Sequence, residues 1–156
     1  MKLTIKVKTK NGMALPAIID KGDWIDLRSS ENYNLEAGEF KIIELGIAMQ
    51  LPSGFEAIVV PRSSTFKNFG VLCPNSFGVI DETYCSDDDT WKFPAFAPKA
   101  GHIQFNDRIC QFRIQLSQKA TVWQKLKWLF CNGIRIERVS SLGNKTRGGI
   151  GSTGIK

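Results

Sequence analysis

The chain has 156 residues, of which 42% are apolar and 23% charged, and its formal net charge at neutral pH is +6. This length fits a single domain that is large enough to bury a core. No apolar run approaches the length of a membrane span, and the amino terminus lacks the apolar segment of a secretion signal. We therefore expect a cytoplasmic protein with no membrane partner. The modest positive charge suits a small anionic ligand, and we expect no nucleic-acid partner.

One histidine and four scattered cysteines restrict the chemistry available to the chain. A site of several histidines is excluded, and a Ser–His–Asp triad would need His102. This residue follows Gly101 in a predicted turn, so we expect it to face solvent. The cysteines lack the spacing of a zinc site and are expected to be free thiols, mostly in the core. Carboxylates, hydroxyls, cations and a hard metal ion remain as candidate groups.

Short segments of alternating or β-rich sequence, separated by turn residues, run through most of the chain. The predicted strands are residues 3–8, 24–27, 40–49, 55–60, 78–80, 102–105, 108–116 and 134–139. Glycine-containing turns such as residues 10–12 and 51–54 lie between them. This pattern predicts an all-β fold, a jelly-roll-like β-sandwich.

Two segments instead favour helices. Residues 62–70 follow a strand and carry hydroxyls at a possible N-cap and Gly70 at a possible C-cap, which predicts a short helix with an anion site at its start. In residues 122–130, one helical face carries four apolar side chains with lysines beside it. These four are Val122, Leu126, Leu129 and Phe130. We expect this face to pack on the body; a basic amphipathic surface for a partner or a membrane is the alternative.

The last residues, from Thr146 onward, contain four glycines, two further hydroxyl side chains and Arg147. Such a segment has little to bury, so we expect a flexible arm without a fixed shape when no ligand is bound. Its N–H groups, hydroxyls and guanidinium can also wrap an anion. We divide the chain into a core of residues 1–142 and an arm of residues 143–156.

Five ordered motifs carry the functional prediction. They are Gly22-x-x-x-Asp26-Leu27, Pro61-Arg62-Ser63-Ser64, Asn75-x-x-Gly78-Val79-Ile80-Asp81-x-x-Tyr84, Asp107-Arg108-Ile109-x-Gln111 and Gly151-Ser152-Thr153-Gly154. Each motif alone is weak, because an acid at a strand end is more often a turn former than a catalyst. Together they resemble the five motifs of the trimeric dUTPases, over nearly the whole chain. An unrelated jelly roll is the alternative.

The resemblance implies a β jelly roll that forms a homotrimer with active sites between subunits and hydrolyses dUTP to dUMP and pyrophosphate with Mg²⁺. By similarity, Asp81 would orient and deprotonate the attacking water, and Gln111 would lie close to the α and β phosphates. A phosphate would be held by Arg62, Ser63 and Ser64. The triphosphate and water would carry most of the Mg²⁺ coordination, with Asp26 acting through water.

The resemblance also assigns the recognition of base and sugar. The hairpin of residues 73–81, including Asn75, Gly78 and Ile80, would read uracil through its backbone, and Tyr84 would pack against the sugar. The arm would close over the nucleotide of another subunit. Three arm residues would then contact substrate phosphate: Gly151, Ser152 and Thr153.

The chain departs from the usual family pattern at two places. Ile150 stands where a phenylalanine of the arm usually stacks on uracil, as in a subset of bacterial and phage-type dUTPases. We expect Phe93 to supply the stacking ring; Trp91, or a core role for both rings, is the alternative. We also expect Arg147, rather than Lys145, to be the cation of the arm, since a guanidinium binds phosphate with two hydrogen bonds. Residues 123–130 look inserted before the arm, with no assigned role.

Two other functions remain open at this point. A dCTP deaminase shares the fold, but its glutamate has no counterpart in residues 91–97. A nucleotide-binding regulatory protein could use the same pocket without catalysis. Asp81 and Gln111 favour the hydrolase, because binding alone does not need a carboxylate that orients water.

Overall fold

The computed structural model describes residues 1–150 and residue 154. In this part of the chain, ten strands and two helices follow one another in the order given next. They are β1 (Leu3–Thr9), β2 (Ile25–Arg28), β3 (Tyr33–Leu35), β4 (Glu39–Gln50), β5 (Phe55–Pro61), α1 (Thr65–Phe69), β6 (Gly78–Ile80), β7 (Thr90–Ala97), β8 (Gly101–Ile103), β9 (Arg108–Leu116), α2 (Val122–Leu129) and β10 (Ile134–Arg138). The prediction of an all-β sandwich is confirmed.

Two four-stranded sheets form the sandwich, in the orders β10-β1-β4-β7 and β2-β9-β5-β6, and β3 and β8 make a separate two-stranded sheet. Alternate residues of each long strand point inward, as in β1, where Leu3, Ile5 and Val7 are buried. The two sheets meet where Trp91 of β7 packs edge-on against Phe112 of β9, with 5.2 Å between ring centroids. One continuous core therefore lies between the sheets.

Strand β7 was not among the predicted strands. Its inward side chains alternate regularly, but Pro94 lies in the middle, and proline removes a hydrogen-bond donor from a strand. The proline is accommodated because β7 is the edge strand of its sheet. The three-residue strand β3 was also missed, since so short a segment carries little periodic signal.

The short helix α1 follows β5 as predicted and ends at Gly70, whose φ of +69° lies in the left-handed region. A hydroxyl residue, Ser64, occupies the N-cap position as predicted, but its side chain makes no capping hydrogen bond. Instead, the buried Thr65 hydroxyl accepts a hydrogen bond from the Arg62 N–H and donates one to the Ile109 carbonyl at 2.7 Å. These bonds fix the start of α1 against β9.

Helix α2 packs on the body with a different side chain from those predicted. Trp128 lies against Phe55, with 5.2 Å between ring centroids, whereas Val122, Leu129 and Phe130 are each about 70% exposed. The capping box of Thr121 and Gln124 sets this orientation, because the Gln124 amide also donates to the Ser53 hydroxyl. The predicted apolar face therefore points away from the sandwich.

The remaining sequence predictions concern isolated residues and the arm. His102 is exposed, as expected, and the four cysteines are free thiols, of which Cys110 is buried. No helix in the described residues is both long and apolar enough to cross a membrane. Strand β10 ends at Arg138, and the division into core and arm at residue 142 stays a prediction.

Candidate active site

A pocket of about 340 Å³ opens between the β6 hairpin, β7 and the carboxyl-terminal arm. The residues that line it are Val59, Cys73, Asn75, Phe77, Gly78, Val79, Ile80, Asp81, Tyr84, Thr90, Lys92, Phe93, Pro94, Arg147, Gly148, Gly149 and Ile150. Seven of the predicted substrate-binding or catalytic residues thus lie together, although residues 75–93 and 147 are far apart in the sequence.

A tight hairpin shapes one wall of the pocket. Strand β6 pairs with β5, and the turn before it places Ser76 at a φ of +63°, with the Phe77 N–H donating to the Asn75 carbonyl. Gly78 lies close to β5, where an added Cβ would be 3.7 Å from the Val59 Cβ. The hairpin therefore presents backbone groups and the half-exposed Phe77 ring to the pocket.

Asp81 supplies the only carboxylate among the described lining residues. One of its oxygens accepts hydrogen bonds from the Thr83 N–H, at 2.9 Å, and from the Thr83 hydroxyl. The other oxygen forms an ion pair with the Arg147 guanidinium. Partial burial opposes ionisation, but the Thr83 hydrogen bonds and the charge of Arg147 outweigh it, so the Asp81 pKa lies below its usual value. Asp81 is therefore ionised at neutral pH.

Tyr84 and the two aromatic residues of β7, Trp91 and Phe93, lie in different environments. The Tyr84 hydroxyl donates to the Thr90 carbonyl at 3.0 Å, which fixes its ring at the pocket wall. Phe93 lines the pocket but is 1% exposed, and Trp91 is fully buried against the other sheet. Phe93, and not Trp91, thus borders the pocket, and its stacking on a base stays a prediction.

The arm covers the pocket of its own chain. Arg147 contacts Asp81, and Gly149 approaches Tyr84 so closely that an added Cβ would lie 3.3 Å from the tyrosine hydroxyl oxygen. Lys145 is exposed and does not line the pocket. The predicted phosphate ligands Gly151, Ser152 and Thr153 lie outside the described residues. Closure of the arm over another subunit stays a prediction.

A second group of predicted residues lies at the junction of β2, β9 and the start of α1, and we call it the cationic cluster. Its centre is Asp26, whose two oxygens pair with the Arg62 Nε at 2.7 Å and the Arg108 Nη1 at 3.1 Å. Gln111 lies opposite Asp26 in the sheet and its amide donates to the Pro61 carbonyl at 3.4 Å. Two guanidinium groups facing one carboxylate leave one positive charge in excess, which suits a phosphate.

The pocket and the cationic cluster are separate in the single chain. Four residues that were predicted to contact the phosphates do not line the pocket; these are Arg62, Ser63, Ser64 and Gln111. The hydroxyls of Ser63 and Ser64 make no hydrogen bond with another described residue, so they are available to a ligand. In the single chain, the predicted site residues thus fall into two separate groups, the pocket and the cationic cluster.

The residues present suit a metal that is bound chiefly by its ligand. The described residues contain no group of three carboxylate, histidine or cysteine side chains placed to hold an ion. Asp26 is partly exposed, and each of its oxygens keeps a lone pair beyond its bond to a guanidinium. A carboxylate in this state can accept a hydrogen bond from a water molecule of a hydrated hard ion.

Three residues of the pocket and the cationic cluster were given no role in the sequence predictions. Phe77 and Lys92 line the pocket, and Arg108 pairs with Asp26. Arg108 belongs to a quoted motif, and Phe77 lies between the Asn75 and Gly78 of another, so position in a motif is the signal that could have found them. Lys92 lies in β7, the strand that was not predicted.

A β-sandwich that carries an ionised carboxylate and a guanidinium in one pocket, and a separate cationic cluster, suits a protein that binds a small anionic ligand. Residues 24–126 match the family model for dUTPase. An SPbeta prophage-derived deoxyuridine 5'-triphosphate nucleotidohydrolase of Bacillus subtilis is 50% identical over 138 residues, which span 88% of each chain. The corresponding enzyme of Maricaulis maris is 33% identical over 171 residues, covering 98% of this chain and 99% of that one. The chain therefore belongs to the dUTPase family, the enzymes that hydrolyse dUTP.

Solved structures show the same fold. A dUTPase from Streptococcus mutans matches 74% of this chain and 98% of its own, with a TM-score of 0.65 and 17% identity. A mutant dUTPase from phage phi11 of S. aureus, whose description names a structural Mg(II) ion, matches 76% of this chain and 94% of its own, with a TM-score of 0.66 and 15% identity. The jelly-roll-like sandwich is therefore shared with dUTPases whose sequences have little identity to this chain.

Proposed function

We propose that this enzyme hydrolyses dUTP by in-line attack of a water molecule on the α-phosphorus, with Asp81 as the general base. The observation that carries the proposal is the placement of this carboxylate. Thr83 holds one oxygen of Asp81, while the other faces the pocket and bonds only Arg147 among the described residues. An ionised, oriented carboxylate of this kind can bind a water molecule, align it and accept its proton.

Arg147 has two successive partners in this proposal. In the free chain its guanidinium neutralises Asp81. A triphosphate offers more negative charge and matches the two-pronged geometry of the guanidinium, so it draws Arg147 away and leaves Asp81 free to accept a water proton. The arm would thereby sense the presence of substrate before hydrolysis begins.

The hairpin and Tyr84 would select the nucleoside. Backbone groups of residues 75–80 can bond the polar edge of uracil, while the tightness of the hairpin excludes a methyl group at the position found in thymine. Tyr84, held by Thr90, would occupy the space that a ribose 2'-hydroxyl needs. Phe93 borders this region and would contact the base, with Phe77 at the opposite wall.

A complete site would need two chains. The cationic cluster carries the charges and hydroxyls that suit a triphosphate, and the pocket of the same chain does not include them. In a closed homotrimer, the pocket of one subunit can face the cluster of the next and form three equal sites. Arg62, Ser63, Ser64 and Gln111 of the neighbouring chain would then bind the phosphates.

Magnesium would act through the substrate. The ion would lie on the triphosphate with bound water, and Asp26 would accept a hydrogen bond from one of these water molecules. When bound, Mg²⁺ would neutralise the charge that builds up on the leaving pyrophosphate. The structural ion named for the phage phi11 relative supports a role for this metal in the family.

A comparison of substrates tests the proposal. Pyrophosphate release is measured with Mg²⁺ for dUTP, dCTP, dTTP and UTP, together with ammonia release from dCTP, for the wild type and Asp81→Asn. We expect turnover of dUTP alone, and a loss of about 10³-fold in kcat for the variant. Ammonia release would identify a deaminase, and tight binding of dUTP without turnover would identify a regulatory nucleotide-binding protein. Either result contradicts the proposal.

The role of Phe93 is better tested by a substitution less disruptive than alanine. Truncating a buried ring leaves a cavity that lowers the free energy of unfolding by about 3–5 kcal/mol. Phe93→Leu keeps most of the volume but removes the ring. We expect it to raise KM for dUTP, whereas Trp91→Phe leaves KM unchanged. An unchanged KM in Phe93→Leu together with a raised KM in Phe77→Leu would assign the stacking ring to Phe77.

A further inference from the structure

Two side chains of the pocket, Asp81 and Tyr84, lie at the two ends of a single turn. We call residues 81–84 the Asp81 turn. The Tyr84 N–H donates to the Asp81 carbonyl at 3.1 Å, which closes the turn. Glu82 is half-buried and lies at the corner of the turn, outside the pocket. A displacement of this turn would therefore move both pocket residues together.

Backbone pairing between β5 and β6 ends just before the Asp81 turn. The two strands pair at three positions, and the last of these places Ile80 opposite Ala57. Beyond this pair, the Glu82 carboxylate accepts a hydrogen bond from the Gly54 N–H at 2.5 Å, between residues 28 positions apart. A hydrogen bond from an N–H group to a carboxylate is roughly twice as strong as one to a neutral acceptor. Glu82 thus continues the link between the two strands where the backbone no longer provides it.

Gly54 belongs to a tight turn that is itself fixed on the body of the chain. The Phe55 N–H donates to the Pro52 carbonyl at 3.1 Å, and the Gly54 carbonyl accepts a hydrogen bond from the Ser117 N–H at 2.9 Å. The φ of Gly54 is +84°, in the left-handed region that favours glycine. The Gly54 N–H is therefore presented to the carboxylate by a backbone with little freedom to move.

The amino-terminal cap of α2 packs on the other side of this tight turn. The Gln124 amide donates to the Ser53 hydroxyl at 3.1 Å, and a Cβ added to Gly54 would collide with the same amide. Gln124 is held in place because its oxygen accepts hydrogen bonds from the Thr121 N–H at 2.7 Å and from the Thr121 hydroxyl at 3.1 Å. The start of α2 therefore supports the turn that binds Glu82.

The other bonds of the Asp81 turn leave its corner free. Both Thr83 bonds to the Asp81 carboxylate lie inside the turn, so they orient this carboxylate but do not fix the turn on the sheet. The Tyr84 hydroxyl holds the far end through its bond to the Thr90 carbonyl. The Glu82 bond holds the corner. Such support matters for a catalytic group, because a misplacement of about 1 Å can lower the rate by about 10²-fold.

We propose that Glu82 is a positioning residue that holds the Asp81 turn against the start of β5, with the cap of α2 as the support behind it. This inference rests on the proposed function of Asp81 as the general base. Glu82 acts by limiting the positions that the Asp81 carboxylate can take, without contacting the substrate. The inserted helix α2 would thereby contribute to hydrolysis, although none of its residues lines the described pocket.

Amide hydrogen exchange in the ligand-free protein tests the Glu82 bond without reference to activity. The Thr83 and Tyr84 N–H groups both bond to Asp81, so their exchange reports opening of the turn. We expect Glu82→Ala to speed this exchange about tenfold. Glu82→Gln keeps a carbonyl acceptor and should restore most of the protection. Equal rates in the wild type and Glu82→Ala would overturn the proposal, and so would a loss in Glu82→Gln as large as in Glu82→Ala.

Kinetics with dUTP and Mg²⁺ test the effect on catalysis. We expect Glu82→Ala to lower kcat about tenfold while KM changes less than about twofold, because the hairpin and the cationic cluster keep their own bonds. Glu82→Gln should restore most of kcat. Faster exchange with an unchanged kcat would overturn the positioning role and leave dUTP hydrolysis intact. An inactive wild type would refute the proposed function, and the exchange rates would still decide whether Glu82 holds the turn.

A double-mutant cycle tests the contribution of α2. Gln124→Ala removes the bond to Ser53 and the contact with Gly54, and we expect it to lower kcat about threefold. In a chain that already carries Glu82→Ala, the same substitution should have little further effect, since the support no longer reaches Asp81. Effects that multiply in the double variant would overturn the role of α2.

Gln115→Ala is the matched control for Gln124→Ala. Gln115 is exposed on β9, and its amide donates to the Glu56 carboxylate at 2.7 Å. The substitution therefore removes a glutamine side chain and one hydrogen bond without touching the tight turn at Gly54. We expect its kcat to equal that of the wild type. A fall in kcat as large as in Gln124→Ala would show that the effect is not specific to the support of the turn and would overturn the role of α2.

Discussion

Asp81 and Arg147 each set the state of the other in the ligand-free enzyme. The carboxylate needs a free oxygen to bind water, yet in the free chain that oxygen pairs with the arm. If Asp81 is the base, as proposed, this ion pair would keep the carboxylate ionised until a phosphate competes for the guanidinium. The Thr83 hydrogen bonds keep the carboxylate oriented during this exchange, since they use its other oxygen.

The pKa of Asp81 should report this pairing. The charge and hydrogen bond of Arg147 both lower it, while partial burial raises it. Arg147→Ala removes two contributions that lower the pKa and leaves burial in place, so we expect the Asp81 pKa to rise. Titration of the carboxyl carbon by NMR measures the change. Lys145→Ala removes a neighbouring charge that makes no contact with Asp81, and it should leave the pKa where it is. A rise of the Asp81 pKa in both variants would assign the shift to the positive charge of the arm as a whole rather than to the ion pair with Arg147.

At the scale of single elements, α2 depends on one side chain for its attachment. Trp128 contacts Phe55 of the core, while Trp123, on the same helix, is 80% exposed. We expect Trp128→Ala to lower the free energy of unfolding by about 2 kcal/mol, less than a fully buried ring would, because Trp128 is only half-buried. Trp123→Ala should change it by less than about 0.5 kcal/mol. Urea unfolding measures both, and equal effects would show that the Phe55 contact does not hold the helix.

The boundaries of the strands show where the sequence predicts the fold correctly. Strands β6 and β9 begin and end at the predicted residues, because regular alternation is bounded there by turn residues. Strand β7 was missed because Pro94 argues against a central strand, and nothing local says that this strand lies at an edge. The exposed face of α2 was wrongly placed for a related reason. Apolar spacing identifies a face, but tertiary contacts decide which way the helix turns.

The sequence predicted several residues of the candidate site but did not predict how they are arranged in space. Motif order gave Asp81 and Tyr84, and the phosphate-binding geometry of a guanidinium favoured Arg147 over Lys145; the structure brings Asp81, Tyr84 and Arg147 into one pocket. Motif order did not show that Arg62 and Gln111 lie apart from this pocket, because their separation depends on how β5, β6 and β9 pair. The hydrogen bonds of residues 141–147 with Asp87 and Asp89 depend on where residues 86–89 present their oxygens, which composition does not reveal.

In the whole molecule, the proposed function requires two chains for each site. The pocket of one chain and the cationic cluster of another would each supply half of that site, and a symmetric trimer would join them three times. Each subunit would therefore contribute its pocket to one site and its cluster to another, and its arm is predicted to close over the nucleotide of another subunit.

Mixed oligomers test this division. Asp81→Asn and Arg62→Ala subunits are each expected to be inactive alone. After unfolding and refolding together, some interfaces pair an intact pocket with an intact cluster, so activity should return. Asp81→Asn mixed with Arg147→Ala should also regain activity, because the arm is predicted to close over the site of another subunit. No recovery in this second mixture would assign Asp81 and Arg147 of one chain to the same site, and no recovery in the first would show that each chain carries a complete site.

Hydrolysis of dUTP in water labelled with heavy oxygen is the most direct test of the proposed attack on the α-phosphorus. If Asp81 activates water for attack on the α-phosphorus, the heavy oxygen appears in dUMP and not in pyrophosphate. We expect this result for the wild type, and we expect the rate of label incorporation to fall about 10³-fold for Asp81→Asn. Label in the pyrophosphate, or incorporation into dUMP at the wild-type rate without the Asp81 carboxylate, would contradict it.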